Sequence, residues 1–386
     1  PAISAANLTN VPAANITGTL PAIDGSNLTG IGGTDFIHAE QISVSGVTTS
    51  QAFIPSQGQL SHRNLIINGD FRIAQRGSSS TSNGYQTNDR WANYSGSHGT
   101  TVTFSQQSTV SSDTPYQNGF SNFFRFALSG AGTANAGAYL ELMQTIEAQN
   151  MANSGWNFKS SSSNITVSFW LRASTNQTFY GFVRTFDGSA YVYAFSFTAS
   201  GNNTWTKITK TIAGNSNLQF DNDNLHGLQI MLTPFFGTNY TNDRTLNTWN
   251  ALDSTNYFPD MASTWLTAGA STFDITGVQI EVGQVATPFE HRSFGEELLL
   301  CQRYFYKGDS ASNYHACGYG SSPGSNSLIQ LPQTVEMRTA PTFTHGSITN
   351  GSDQGSNHGT QQSYLYLSNS ATNSARISEY TLDAEL

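Results

Sequence analysis

From Val102 to Val282 the chain keeps returning to one pattern: a short run in which apolar and polar residues alternate, closed off by glycine, asparagine or serine. In Ile165-Thr166-Val167-Ser168-Phe169-Trp170-Leu171 the odd positions are apolar and the even ones mostly polar; Tyr191, Tyr193, Phe195 and Phe197 repeat the period. A period of two sends successive side chains to opposite faces, so each such run reads as a strand with one face buried. The pattern predicts strands at Val102–Val110, Phe123–Leu128, Tyr139–Ile146, Ile165–Arg172, Phe179–Phe186, Tyr191–Thr198, Trp205–Ile212 and Leu228–Thr233. Two more bracket them. Asn64–Phe71 reads as an opening strand, with Leu65, Ile66 and Ile67 buried on both faces and a turn at Asn68-Gly69-Asp70. Thr272–Val282 reads as the closing strand, Phe273, Ile275, Gly277, Gln279 and Glu281 on one face and Asp274, Thr276, Val278, Ile280 and Val282 on the other. Many short strands with turn-rich connections and almost no helical period make residues 63–290 a β-sandwich.

Helical spacing occurs once. From His291 to Tyr306, Ser293 stands as N-cap with Glu296 three residues on, a capping box, and Phe294, Leu298, Cys301 and Phe305 share one face. Residues 307–386 then read as a small C-terminal β-domain, with strands at Tyr314–Tyr319, Ser327–Leu331, Thr342–Thr344, Ser363–Leu367 and Arg376–Leu382, and Leu331–Arg338 as a strand interrupted by Pro332. At the other end, residues 1–62 are repetitive. Copies begin at Pro1, Pro12 and Pro21, each with two or three aliphatic residues that it cannot bury alone. Units of this kind bury their apolar groups by stacking or by winding several chains about one axis, so a fibrous, homotrimeric shaft is expected. Pro1 opens inside a repeat, as expected of part of a longer chain.

Two stretches carry a resemblance. "NLIINGDF" (residues 64–71) resembles the opening strand of carbohydrate-binding jelly rolls. "ITGVQIEVGQVATPFEHRSFGEELLLCQRYF" (residues 275–305) resembles the carboxyl-terminal region of bacteriophage tail-fibre proteins, notably those of marine phages. The resemblance implies an all-β virion fibre: a shaft, a jelly-roll head, one short helix and a small C-terminal β-domain, assembled in the host cytoplasm. It implies as partners a host-surface polysaccharide and other tail or baseplate proteins. A fold does not by itself name a ligand. The resembled jelly rolls often hold a structural Ca²⁺ through an acid placed after "NGDF"; Arg72 stands there in this chain, and no metal or cofactor is assigned.

Composition narrows the function classes. Charged residues are 11% of the 386 and the net charge is −9, without the basic stripe that nucleic-acid binding needs. No apolar run approaches the ~20 residues that span a bilayer. Cys301 and Cys317 are too few for a disulfide framework and read as reduced thiols, one on a helix and one on a strand. Asp89-Arg90-Trp91 reads as structural, a core Trp beside a salt-linked Arg.

For catalysis the chain shows no G-x-S-x-G, P-loop or H-E-x-x-H. Its acid groupings, Asp221 with Asp223 and Glu141 with Glu147, read as solvated loop or surface acids, the latter two on one strand face but ~20 Å apart and so no glycosidase pair. A non-enzymatic role is expected. Binding is sought in the long insertion Phe236–Ala270, where Trp249, Tyr257 and Trp265 supply stacking faces and Asn242, Asp243 and Arg244 supply groups that bond hydroxyls. The reading is a receptor-binding virion fibre that attaches to a surface glycan; a purely structural fibre and a polysaccharide-depolymerising tailspike are its rivals.

Overall fold

The computed structural model describes residues 61–309, 316–319, 323–370 and 374–386. The expected shaft, residues 1–62, lies outside them apart from Ser61 and His62. In chain order come β1 (Ser79–Ser80), β2 (Ala92–Gly96), β3 (Val102–Ser108), the short α1 (Thr114–Gln117), β4 (Asn122–Leu128), β5 (Tyr139–Glu147) and α2 (Ala148–Ala152). There follow β6 (Asn164–Ala173), β7 (Asn176–Thr185), β8 (Tyr191–Ser200), β9 (Thr206–Ala213) and β10 (His226–Phe236). The insertion contributes β11 (Thr241–Asn242), β12 (Trp249–Ala251), β13 (Phe258–Pro259) and α3 (Thr264–Thr267), before β14 (Thr272–Val282).

These make two six-stranded sheets, β1-β3-β4-β14-β6-β9 and β12-β8-β7-β10-β5-β2. They face one another across a single core, as expected of a jelly-roll sandwich. Alternate residues fill it: Phe124 and Phe126 from β4, Val167, Phe169 and Leu171 from β6, Phe195 and Phe197 from β8, Leu140 and Leu142 from β5. Fully burying one such side chain is worth roughly 1.5–3 kcal/mol. The aromatics of β8 point inward, as their shared face suggested. All eight internal strands predicted from alternation form, with ends shifted by a few residues; β2 was not foreseen, being five residues with one aromatic.

The opening and closing segments differ from expectation. Asn64–Phe71 is not a strand. Asn68 and Phe71 have φ of +57° and +55°, which bends the chain, and side-chain amides take over its pairing. Asn64 Oδ1 accepts from the amides of Ile66 and Ile280 at 3.0 and 3.1 Å; Asn68 Nδ2 donates to Ile73 O and Asp89 O at 2.8 and 2.9 Å. The segment is a buried plug against β14, with Leu65 N donating to Ile280 O at 2.8 Å and Val278 N to Gly69 O at 2.9 Å. Strand β14 has its expected bounds but not one uninterrupted period. Phe273 and Ile275 face the core, and after Gly277 so do Val278 and Ile280. The register against β6 shifts between Thr276 and Gln279, and Gly277, at φ +65°, is the extra residue of a bulge. A bulge inserts one residue and so exchanges the two faces.

The helix α4 (Phe294–Gln302) carries its capping box: Ser293 Oγ accepts from Glu296 N, and Glu296 reaches back to Ser293 N. Its buried face is turned from the expected one, onto Glu297, Cys301 and Gln302, leaving Phe294 56% exposed; the helix ends at Gln302, and Phe305 belongs to a strand. That strand, β15 (Phe305–Asp309), opens the C-terminal unit with β16 (Ala316–Tyr319), β17 (Asn326–Leu331), β18 (Thr342–His345), β19 (Ile348–Thr349), β20 (Gly351–His358), β21 (Ser363–Asn369), β22 (Ser374–Ile377) and β23 (Glu379–Asp383). They pair as three three-stranded sheets around Ile329, Leu331, Leu365, Leu367, Ile377 and Leu382. Pro332 ends β17 and does not interrupt it, because it has no amide hydrogen to continue the ladder.

Ion pairs join this unit to the sandwich. Arg90, buried and capped by the Tyr304 ring 3.4 Å from its guanidinium carbon, pairs with Glu385. Arg76 holds Asp383 at 3.0 Å and Glu385 at 3.3 Å, and Tyr85 Oη donates to Leu386 O at 2.8 Å. Asp89-Arg90-Trp91 is the core triplet expected of it.

Candidate functional site

The sheet β12-β8-β7-β10-β5-β2 has a second apolar layer on its outer face. Period two turns Tyr139, Glu141 and Met143 of β5 outward, together with Tyr180 and Phe182 of β7 and Met231 of β10. The insertion after Phe236 folds back over them, bringing Tyr240, Leu246, Tyr257, Phe258 and Met261. Rings meet edge-to-face, tilted or stacked: Tyr139–Tyr240 at 6.1 Å, Phe236–Tyr240 at 5.4 Å, Phe236–Tyr257 at 6.0 Å and Phe182–Tyr257 at 5.3 Å. Such pairs add about 0.5–1.5 kcal/mol each beyond the area they bury.

The insertion does not cover the layer completely. At the β5–β2 edge a cleft of about 310 Å³ remains, lined by Tyr94, Tyr139, Glu141, Phe236, Tyr240 and Tyr257. Tyr94 of β2 lies directly opposite Glu141 of β5 in the ladder. The pair beside it, Gly96 with Tyr139, explains the opening: a Cβ on Gly96 would stand 2.7–2.9 Å from the Tyr139 ring, so the glycine lets that ring lie across β2. Glu141 is the one carboxylate of the lining. Burial pushes its carboxyl up to about 7, against a weaker downward pull from Arg184. Burial likewise raises the Tyr257 and Tyr139 hydroxyls. Burial thus favours the neutral forms of the Glu141 carboxyl and of the Tyr139 and Tyr257 hydroxyls, set between aromatic rings.

The residues expected to bind are dispersed. Trp265 is 0% exposed, with Nε1 donating to Thr272 O at 2.8 Å and its ring among Phe179 and Phe273; it is core, and offers no face to a ligand. Trp249 is half-buried on the edge strand β12, tied by Nε1 to Ala213 O at 2.7 Å and packed on Tyr193 at 5.5 Å. Arg244 is buried and donates to the carbonyls of Asn256, Ala251 and Asp253; it knits the insertion together. Asn242 and Asp243 are exposed, and Asp243 accepts from Asn256 Nδ2 at 2.9 Å. Of the six, Tyr257 alone lines the cleft. The acids also differ from expectation. Glu141 is half-buried in the cleft, and Glu147 is fully buried in an ion pair with Arg303; neither is a solvated acid. Among the described residues no group of three His, Cys, Asp or Glu side chains is placed to hold a metal, and no helix is long and apolar enough to cross a membrane.

Comparison with known proteins finds no matching family model and no match among curated proteins. Solved structures give similarities of low score. The enzymatically active domain of tailspike protein 4 of bacteriophage CBA120 is 14% identical over 57% of this chain, which spans 21% of that one, with a TM-score of 0.31. The N-terminal cellulose-binding domain of Cellulomonas fimi β-1,4-glucanase C is 13% identical over 56% of this chain and 99% of its own, at 0.27. The family 11 carbohydrate-binding module of Clostridium thermocellum, in complex with a β-1,3-1,4-mixed-linked tetrasaccharide, is 12% identical over 55% and 98%, at 0.25.

Proposed function

We propose that this chain is a receptor-binding virion fibre whose sandwich binds a surface glycan, without turnover, in the cleft between β2, β5 and the insertion. One observation carries the binding reading: the cleft sets aromatic faces from Tyr94, Tyr139, Tyr240 and Tyr257 around a single carboxyl group. Sugars present apolar ring faces rimmed by hydroxyls, and this lining offers both stacking surfaces and hydrogen-bonding tips. Glycosidic cleavage takes two carboxylates, and here one is at hand. Below pH ~7 the neutral Glu141 carboxyl donates as well as accepts, so it serves a hydroxyl in either sense. The fibre part rests on the resemblance of residues 63–305 to phage tail-fibre regions and on the repeats of residues 1–31, which favour a homotrimer. Three clefts on one trimer gain by effective concentration.

A glycan array probed with the whole chain tests this. Binding to a defined set of surface polysaccharides is expected, with Tyr257→Ala and Tyr240→Ala each weakening it about tenfold or more, as loss of an aromatic anchor does. Native mass should be three times the 41.7 kDa of one chain. Oligosaccharide release from a bound polysaccharide overturns the non-catalytic reading; no binding, or variants that bind unchanged, overturns the cleft.

A further inference from the structure

The opposite sheet carries a second, unrelated cavity. It measures about 190 Å³, and its lining includes Phe120, Trp170, Phe289, His291, Lys207 and Ser168. The bulge in β14 creates it. Because Gly277 has no side chain, Phe120 and Trp170 close in over the backbone: a Cβ there would lie 2.7 Å from the Phe120 ring and 3.2 Å from Trp170 Cδ1. Phe120, Phe289 and His291 form a mutually packed triangle with centroids 4.9–5.0 Å apart, held by His291 Nε2 against Asn118 O at 3.0 Å. The half-buried Trp170 forms the facing wall, and across the ladder from it stands Lys207.

The charge of this cavity is opposite to that of the first cleft. No carboxylate lines it. The two acids nearby on β14 are already engaged: Asp274 by Arg125 and Arg172, and Glu281 by Gln279 Nε2 at 2.8 Å and by the amide and hydroxyl of Thr287 at 2.9 and 2.6 Å. The Lys207 ammonium makes no ion pair or hydrogen bond among the described residues. Lys207 thus sets a positive charge beside an aromatic wall in a chain of net charge −9. The volume is below the roughly 300–1,000 Å³ of sites for drug-sized ligands, and suits one ring.

We infer that this cavity is a second binding site, for a sugar ring bearing a carboxylate. The ring stacks on Trp170, its carboxylate meets Lys207, and a hydroxyl reaches Ser168. The two faces of the sandwich then select different sugars of one heteropolysaccharide, an uncharged ring on one side and an acidic ring on the other.

The test is calorimetric titration of the whole chain with di- and trigalacturonate and with the matching neutral galactose oligomers. The acidic ligands should bind at least about tenfold more tightly, and ~0.5 M salt should remove most of that difference. Lys207→Gln, an exposed change that leaves the fold intact, should abolish the preference for acid. Trp170→Ala should abolish galacturonate binding. Tyr240→Ala with Tyr257→Ala should leave galacturonate binding unchanged, which separates this site from the first cleft. Equal affinity for acidic and neutral oligomers, indifference to Lys207→Gln, or no galacturonate binding at millimolar concentration overturns the inference.

Discussion

Arg303 holds Glu147 with two parallel hydrogen bonds, Nε to Oε1 at 2.8 Å and Nη2 to Oε2 at 2.9 Å. Glu147 ends β5, and Arg303 follows α4, so the pair clamps the sandwich to the segment that leads into the C-terminal unit. The Tyr304 hydroxyl donates to the same carboxylate.

Breaking this clamp should be costly. Arg303→Ala leaves a buried carboxylate without its cation, a loss of about 3–5 kcal/mol. Burial alone would raise the Glu147 carboxyl, but the bonds from Arg303 and Tyr304 outweigh it and hold the group below its ordinary value. A depressed folded pKa contributes stability at and above the unfolded pKa and loses it as pH falls through the folded value. Acid unfolding, followed by circular dichroism, should therefore begin at higher pH in Arg303→Ala than in the parent chain. Identical acid midpoints would contradict the clamp.

Glu141 should act in the opposite sense. Its folded pKa of about 7 exceeds the ordinary 4.5, so the stability it contributes is complete below pH 4.5 and is lost as pH rises towards 7. The full span is on the order of 3 kcal/mol. Glu141→Gln should reduce the fall in melting temperature between pH 5 and 8; the slope that remains comes from the Asp89 carboxyl, which burial raises to about 6, from the likewise raised Glu297 and Asp187, and, in the opposite sense, from the lowered imidazoles of His98, His226 and His358. Glycan affinity in the parent chain should change over the same range, and in the variant it should not. A melting profile equally steep in both proteins would show that Glu141 does not titrate there.

Trp265 and Trp249 separate core from edge. Trp265→Ala empties a fully buried site and should lower stability by about 3–5 kcal/mol. Trp249→Ala, at a half-buried edge position, should cost less. Thermal melts rank the two; the reverse order would place Trp265 outside the core.

Gly277→Val addresses the bulge. A branched side chain at φ +65°, within 2.7 Å of the Phe120 ring, must displace that ring or the strand. Strained backbone of this kind costs on the order of 1–3 kcal/mol before packing is counted. The variant should melt lower and lose galacturonate binding while keeping the first cleft, as read by calorimetry with both ligand sets.

Alternation in the chain determined the class of fold and most of its strands, since period two is a property of residue order and needs no partner to be seen: Ile165–Leu171 and Tyr191–Phe197 each declare a buried face. The capping box at Ser293 and Glu296 is equally local and formed as read. What lay outside sequence reasoning depends on contacts between distant residues. Asn64–Phe71 has the residues of a strand, but the amides of Asn64 and Asn68 find carbonyls and amides elsewhere in the chain and bend it. One residue at Gly277 exchanges the faces of β14, which no count of alternation reveals. The site followed the same division. Tyr257 was legible as an aromatic in a long insertion, and Tyr139–Ile146 as a strand, but the meeting of Tyr257 with Tyr139 and Glu141 required the insertion to fold back over β5. Trp265 looked equally suited to a ligand until the core closed around it, because exposure belongs to the packed chain and is not carried by residue type.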